Sequence, residues 1–252
     1  ISRDGTSSDG TNINDPMSLS EANKKNFEGN DRVLFKSGDI FYGIINFSVN
    51  KSDNSLFYIG SYGDGEKPII SGANILKNRD CWEYKDGLYQ IDLSKNGNFY
   101  GIGNFGNITY NIGFLESENG TIYGARKKSK DLLIDEYDFY CEDSKLYIKC
   151  NQNPTDKLGQ IKLASRIDLV RLSSNTLIEN IDVQCTGAHG IVKKNSEVIS
   201  NVIVRNCVIQ NIGGSVQIAS SFTRYGNGLE FWDNAENTLV EKCIFKNTYD
   251  AG

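Results

Sequence analysis

Apolar and polar residues repeat in three gapless segments: NTLIENIDVQCTGAHG from Asn175, NVIVRNCVIQNIGGSV from Asn201 and NTLVEKCIFKNTYDAG from Asn237, starting 26 and then 36 residues apart. Their columns are chemically uniform. Asn175, Asn201 and Asn237 share one, and Leu177, Ile203 and Leu239 another. Ile181, Cys207 and Cys243 form a third, and Val183, Ile209 and Phe245 a fourth. Self-similarity of this kind signals a stacked architecture. The segments are rich in Val, Ile, Thr and Asn and lack a 3.6-residue period, which disfavours helical repeats. An antiparallel sandwich has no need of column-wise identity. The pattern therefore predicts an all-β parallel β-helix, a solenoid whose short strands lie ~4.8 Å above one another. Apolar columns would fill its interior, and the asparagines would form a ladder at a bend. Cys207 and Cys243 are expected to be reduced and buried.

Residues 1–76 read as the capped start of such a solenoid. Pro16 followed by Ser18-Leu19-Ser20-Glu21 is a capping-box pattern that predicts a short helix through about Asn26. An amphipathic helix there would cover the open first coil. Strand-like runs follow at Arg32–Lys36, Ile40–Phe47 and Leu56–Ile59. From about Lys77 to Arg166 the repeat lapses, and Tyr137–Tyr140 with Leu146–Ile148 predict a hairpin around Glu142-Asp143-Ser144-Lys145. Residues 77–166 are thus expected to form an inserted antiparallel β subdomain, with coils resuming over 167–252. The sequence stops at Asp250-Ala251-Gly252 as a third unit completes. An uncovered edge there is expected to recruit further coils, a second copy or a partner chain.

Composition narrows the partners. Hydrophobic residues make up 38% and charged residues 23%, the balance of a folded domain. A net charge of −5 offers no basic face for phosphates, so nucleic acid is not an expected partner. No apolar run approaches the roughly 20 residues that span a bilayer. The 25 glycines against three prolines suit frequent tight turns. Six cysteines without a CxxC pair, and His189 as the only histidine, argue against disulfides and zinc. No metal site is expected.

The segment GNDRVLFKSGDIFYG (Gly29 to Gly43), followed by YGDGEKPIISG (Tyr62 to Gly72), resembles the opening of bacterial right-handed parallel β-helix proteins of the pectate-lyase-like superfamily. The hairpin ending in Asn153-Pro154 resembles the β-subdomain inserted into some β-helical glycoside hydrolases of that superfamily. The resemblance implies a secreted or cell-surface bacterial protein acting on polysaccharide or oligosaccharide. It does not select one reaction, because the superfamily includes lyases, hydrolases, epimerases and depolymerases.

Candidate chemistry gathers around the longer spacing between the second and third repeats, a common place for a functional loop. Strand alternation over Leu229–Asp233 points Glu230 and Trp232 outward. Stacking places His189 and Asp250 near one edge, with Arg224, Tyr225 and Asn227 from the coil between. Glu230 and Asp250 are the candidate catalytic carboxylates with His189, since hydrolysis of a glycosidic bond needs two flanking carboxyl groups. Arg224, Tyr225, Asn227 and Trp232 are the candidate substrate-binding residues, the aromatics offering flat faces to sugar rings. Each has a bland alternative: turn residues for His189 and Asp250, a solvated strand position for Glu230, a surface ion pair for Arg224, and packing for Trp232. Three functions follow: a glycoside hydrolase, a lyase on a uronate-containing glycan with Ca²⁺ supplying extra charge, or a non-enzymatic carbohydrate-binding or structural β-helix.

Overall fold

The computed structural model of the chain describes residues 1–50, 55–96, 109–194 and 198–252. It is all-β with parallel sheets. One five-stranded sheet runs Arg32–Lys36, Phe57–Tyr62, Thr176–Glu179, Ile199–Arg205 and Ala235–Glu241, each pair parallel. A second runs Ile40–Tyr42, Ile69–Ser71, Asp182–Thr186, Val208–Ile212 and Ile244–Thr248, again parallel. A third holds Val170–Leu172, Ile191–Lys193 and Leu229–Glu230, and Ile45 bridges in parallel to Val170. The chain passes from the first sheet to the second, then the third, and back to the first. Register follows the sequence columns: Leu177 pairs with Ile203 and Ile203 with Leu239, while Val183 pairs with Ile209 and Ile209 with Phe245.

The bends between strands are set by left-handed residues. Asn175, Asn201 and Asn237 have φ of 55°, 54° and 48°; Asn180, Asn206 and Lys242 have 58°, 49° and 53°; Cys185, Asn211 and Asn247 have 62°, 54° and 52°. This conformation is costly for most L-residues and tolerated best by asparagine among those with a side chain. The amides also bond along the stack. Asn201 Nδ2 donates to Asn175 Oδ1 at 2.9 Å, Asn206 Nδ2 to Asn180 Oδ1 at 3.2 Å, and Asn247 Nδ2 to Asn211 Oδ1 at 2.9 Å. Asn201→Ala, which loses both the ladder bond and the backbone tolerance, is expected to destabilise by about 1–3 kcal/mol. Asn201→Gly should recover the backbone part. Denaturant melts of the two variants measure the split, and equal losses would mean the bend carries no strain.

Inside the circuits, Phe35, Phe57, Ile59, Ile70, Ile178, Ile181, Val183, Val204 and Ile209 form one buried core. All six cysteines are free. Cys207 is buried in that core as expected, whereas Cys243 is only half-buried because it adjoins the last strand of the second sheet. The N-terminal helix is shorter than the capping box suggested. It spans Leu19–Ala22, with Ser18 Oγ accepting the Glu21 N–H at 3.2 Å. Asn23 ends it by donating to Ile44 O (2.7 Å) and accepting from Asn46 N (2.9 Å), and Asn26–Glu28 pairs as a strand with Ser48–Asn50. Leu19 and Ala22 are buried in the core.

One column on the outer face of the second sheet is aliphatic but for a single residue. Ile40, Ile69, Asp182, Val208 and Ile244 share a column, so a carboxylate interrupts four aliphatic side chains. Gln210 donates to Asp182 Oδ2 at 2.9 Å, but Oδ1 is buried with no hydrogen-bond partner among the described residues. Burial pushes the carboxyl up to about 6. A carboxyl raised above its ordinary value carries no pH-dependent penalty while protonated, and that penalty builds as pH rises between the unfolded and folded values. Asp182→Asn is therefore expected to stabilise by about 1–2 kcal/mol at pH 7.5, allowing for partial exposure, and to be neutral near pH 4. Thermal melts at the two pH values check the sign.

Between Ser71 and Val170 the chain leaves the circuit and builds two antiparallel sheets. One orders Tyr123–Gly124, Ile112–Glu116, Ile161–Ser165 and Ala73–Leu76; the other orders Phe139–Glu142, Lys145–Ile148, Leu88–Asp92 and Glu83–Lys85. They enclose a separate apolar core around Ile112, Leu115, Phe139, Leu146 and Leu163. The hairpin turns at Asp143-Ser144, pairing Glu142 with Lys145. A later circuit makes a second excursion at the same corner, between Ile212 and Leu229, as the hairpin Ser215–Ile218 with Thr223–Tyr225. The two excursions touch through glycine. A β-carbon on Gly113 would lie 2.3 Å from Gly213 O and 2.8 Å from Gly187 Cα. The Asn111 amide donates to Val216 O at 2.8 Å, and Ser215 Oγ to Asn111 O at 2.9 Å.

Candidate functional site

The corner that emits the excursions also carries the polar cluster. Val170, Ile191 and Leu229 are paired strand to strand, so Asp168, His189 and Asn227, each two residues earlier, form one column. Asn227 ties three circuits together. Its carbonyl accepts Gly190 N–H at 3.0 Å, its N–H donates to His189 Nδ1 at 3.1 Å, and its Oδ1 accepts Ala251 N–H at 2.9 Å. Its Nδ2 donates to Glu230 Oε2. The same carboxylate oxygen lies 3.4 Å from His189 Nδ1.

These contacts specify the imidazole. A nitrogen that accepts an N–H carries no proton, so the neutral ring is the Nε2–H tautomer. The 3.4 Å approach of Glu230 is then a contact between two acceptors, and becomes an ion pair only in the imidazolium. The Asn227 side-chain amide is what holds Glu230 in place. Tyr225 meets the ring edge-on, centroids 4.9 Å apart, and burial pushes its phenol upward. His189 and Glu230 keep 13% and 21% of their side-chain surface, enough to meet a ligand.

Glu230 and Trp232 open onto a concavity also lined by Asn227, Leu229, Phe231 and Asp233. Trp232 is 70% exposed, a flat apolar face beside a carboxylate. Leu229 and Phe231 pack inward on the core, as strand alternation requires. Asp250 lies on the next circuit, exposed, its backbone N–H bonded to Gly226 O at 3.2 Å. Arg224 lies elsewhere. Its Nε donates to Gly214 O at 2.6 Å and its Nη2 to Gly113 O at 3.0 Å, while its guanidinium stacks 4.5 Å from the Tyr249 ring. It lines an adjoining groove with Phe114, Tyr123, Asn211, Asn247 and Tyr249. The structure thus brings His189, Tyr225, Asn227, Glu230 and Trp232 to one face and turns Arg224 toward the antiparallel sheets.

Sequence reasoning missed Asp168, whose Oδ1 accepts the His189 backbone N–H at 3.4 Å and whose Oδ2 pairs with Arg171 at 3.4 Å. It precedes the aligned segments, and the third sheet steps by 21 and then 38 residues, from Val170 to Ile191 to Leu229. The signal that would have found it is the match of Leu169-Val170 to Gly190-Ile191.

No protein-family model matches the chain, and no curated protein matches it. Its structure is similar to solved ones. The native crystal structure of the GH136 lacto-N-biosidase from Eubacterium ramulus gives a TM-score of 0.50 at 14% identity, covering 98% of this chain and 34% of that one. XylC in complex with xylose gives 0.57 at 11% identity, covering 83% of this chain and 40% of that one. The likeness is one of fold. The chain spans about a third of the length of the lacto-N-biosidase and two-fifths of XylC.

Proposed function

We propose that this chain is part of a secreted bacterial protein that hydrolyses glycosidic bonds, built as a right-handed parallel β-helix with residues 77–166 inserted. The repeated passage through three parallel sheets supports the solenoid, and the fold shared with a lacto-N-biosidase supports a carbohydrate ligand. The observation that carries the reaction is Glu230, fixed by the Asn227 amide beside His189 and facing the concavity walled by Trp232. Hydrolysis needs one carboxyl to protonate the leaving oxygen and a second to activate water or attack the anomeric carbon. Glu230 is assigned to this pair with Asp250, and Trp232 stacks the sugar.

Incubation with a panel of neutral and acidic polysaccharides, followed by analysis of the products, tests this. New reducing ends without an unsaturated sugar are expected. An ultraviolet-absorbing unsaturated uronate would replace hydrolysis by elimination. Binding without any cleavage would make the chain a carbohydrate-binding module.

A further inference from the structure

The seam between the two excursions holds two guanidinium groups that no carboxylate neutralises among the described residues. Arg224 bonds only backbone carbonyls there. Arg126 is 5% exposed and donates through Nη1 to Asn111 Oδ1 at 2.7 Å and to Ile112 O. Its Nε and Nη2 are buried with no hydrogen-bond partner among the described residues. Burial, with repulsion from Arg224 adding to it, draws this guanidinium down to about 10, so it remains charged at neutral pH. A buried cation without a counter-charge is strongly disfavoured, as is a buried donor without an acceptor. Residues 97–108 of the sequence include neither Asp nor Glu.

The two orphaned nitrogens are the ones that share an edge of the guanidinium. Two parallel N–H groups on that edge match the two oxygens of a carboxylate. Phe222 covers the group from the tip of the second hairpin, its ring centre 5.7 Å from Cζ. Its φ of 53° is a conformation that bulky side chains rarely hold. The neighbouring Ala219, Ser220 and Ser221 are exposed. Beside the seam, Arg224 and the half-exposed Tyr123 and Tyr249 line the adjoining groove.

We propose that the Nε–Nη2 edge of Arg126 is a carboxylate-binding site, covered by Phe222 until a ligand displaces it, and that the carboxylate is that of a uronic acid unit in a glycan. The anion chemistry stands on the seam itself; the sugar rests on the carbohydrate reading above. A uronate bound there would answer both orphaned donors and meet a second charge at Arg224.

Isothermal titration of the 252-residue chain in low-chloride buffer with sodium glucuronate, sodium acetate and glucose tests this. Glucuronate is expected to bind saturably, acetate about tenfold more weakly and glucose not at all. Phe222→Ala, which uncovers the guanidinium, should tighten glucuronate at least about threefold, and Arg126→Met should abolish binding. Acetate binding as tightly as glucuronate would keep the anion site and overturn the sugar. Unchanged binding in Arg126→Met, or no binding by either wild type or Phe222→Ala, would overturn the site. If Arg126→Met does not fold, Phe222→Ala decides alone, and an unchanged affinity there counts against the proposal. The titration reads binding only, so an inactive chain that still binds glucuronate separates this result from the hydrolytic one.

Discussion

Glu230→Gln is expected to lower glycosidic cleavage by roughly 10²–10⁴-fold while leaving the fold and glycan binding in place. The change is nearly isosteric, and the glutamine oxygen can still accept the Asn227 amide that holds Glu230. What is lost is the ability to carry a proton or a negative charge at the scissile bond. Glu230 ends a two-residue strand and is partly exposed, so the melting temperature should move by no more than about 2 °C. A collapsed melting temperature would make Glu230 structural. Turnover surviving intact would remove it from the reaction. Asp250→Asn and Asp168→Asn in the same assay identify the partner carboxyl, since only the true partner should approach the loss at Glu230. In a glycan complex, a separation of about 5–5.5 Å between the paired carboxyls would go with retention, and about 6.5–9.5 Å with inversion.

Phe57→Ala is expected to cost about 3–5 kcal/mol, the range for a fully buried phenylalanine. Phe57 is 1% exposed and lies in the strand that joins Arg32–Lys36 to Thr176–Glu179 in the first sheet. Its ring meets Phe27 in a tilted contact at 5.5 Å and Phe47 edge-on at 6.2 Å, so truncation leaves a cavity and strips a ring contact from two aromatics. Equilibrium unfolding in urea measures the loss, and Phe57→Leu should restore more than half of it. A cost below about 1 kcal/mol would mean that neighbouring circuits collapse into the space.

The parallel stacking was readable because it leaves the same residue type at the same place in successive units. Asn175 over Asn201 and Val183 over Ile209 are contacts within single columns of the alignment. The bends at Lys242 and Cys185 were hidden, because neither residue advertises the left-handed conformation that its asparagine neighbours do. The outward position of Glu230 was readable from strand alternation, whereas His189 stacks with Asp168 and Asn227 and not with Ser215, its counterpart in the aligned segments, because Ser215 is drawn into the second hairpin. Arg224 could not be placed, because its position depends on carbonyls of Gly113 and Gly214, contributed by different excursions. Arg126 gave no sign at all: burial without a counter-charge exists only once residues far apart in the chain have met.

Both excursions depart from one corner of the circuit, the first of them about a hundred residues long and the second fewer than twenty. Neither disturbs the strands on either side, which keep their pairing across the interruption. That corner is thus a natural grafting point. Two excursions of very different length are accommodated there while the stacked framework, held by its own column chemistry, keeps its pairing. Freedom to vary is thereby confined to a single edge of the framework, and swapping the Ser215–Tyr225 hairpin for an unrelated one would be the smallest engineered step along it.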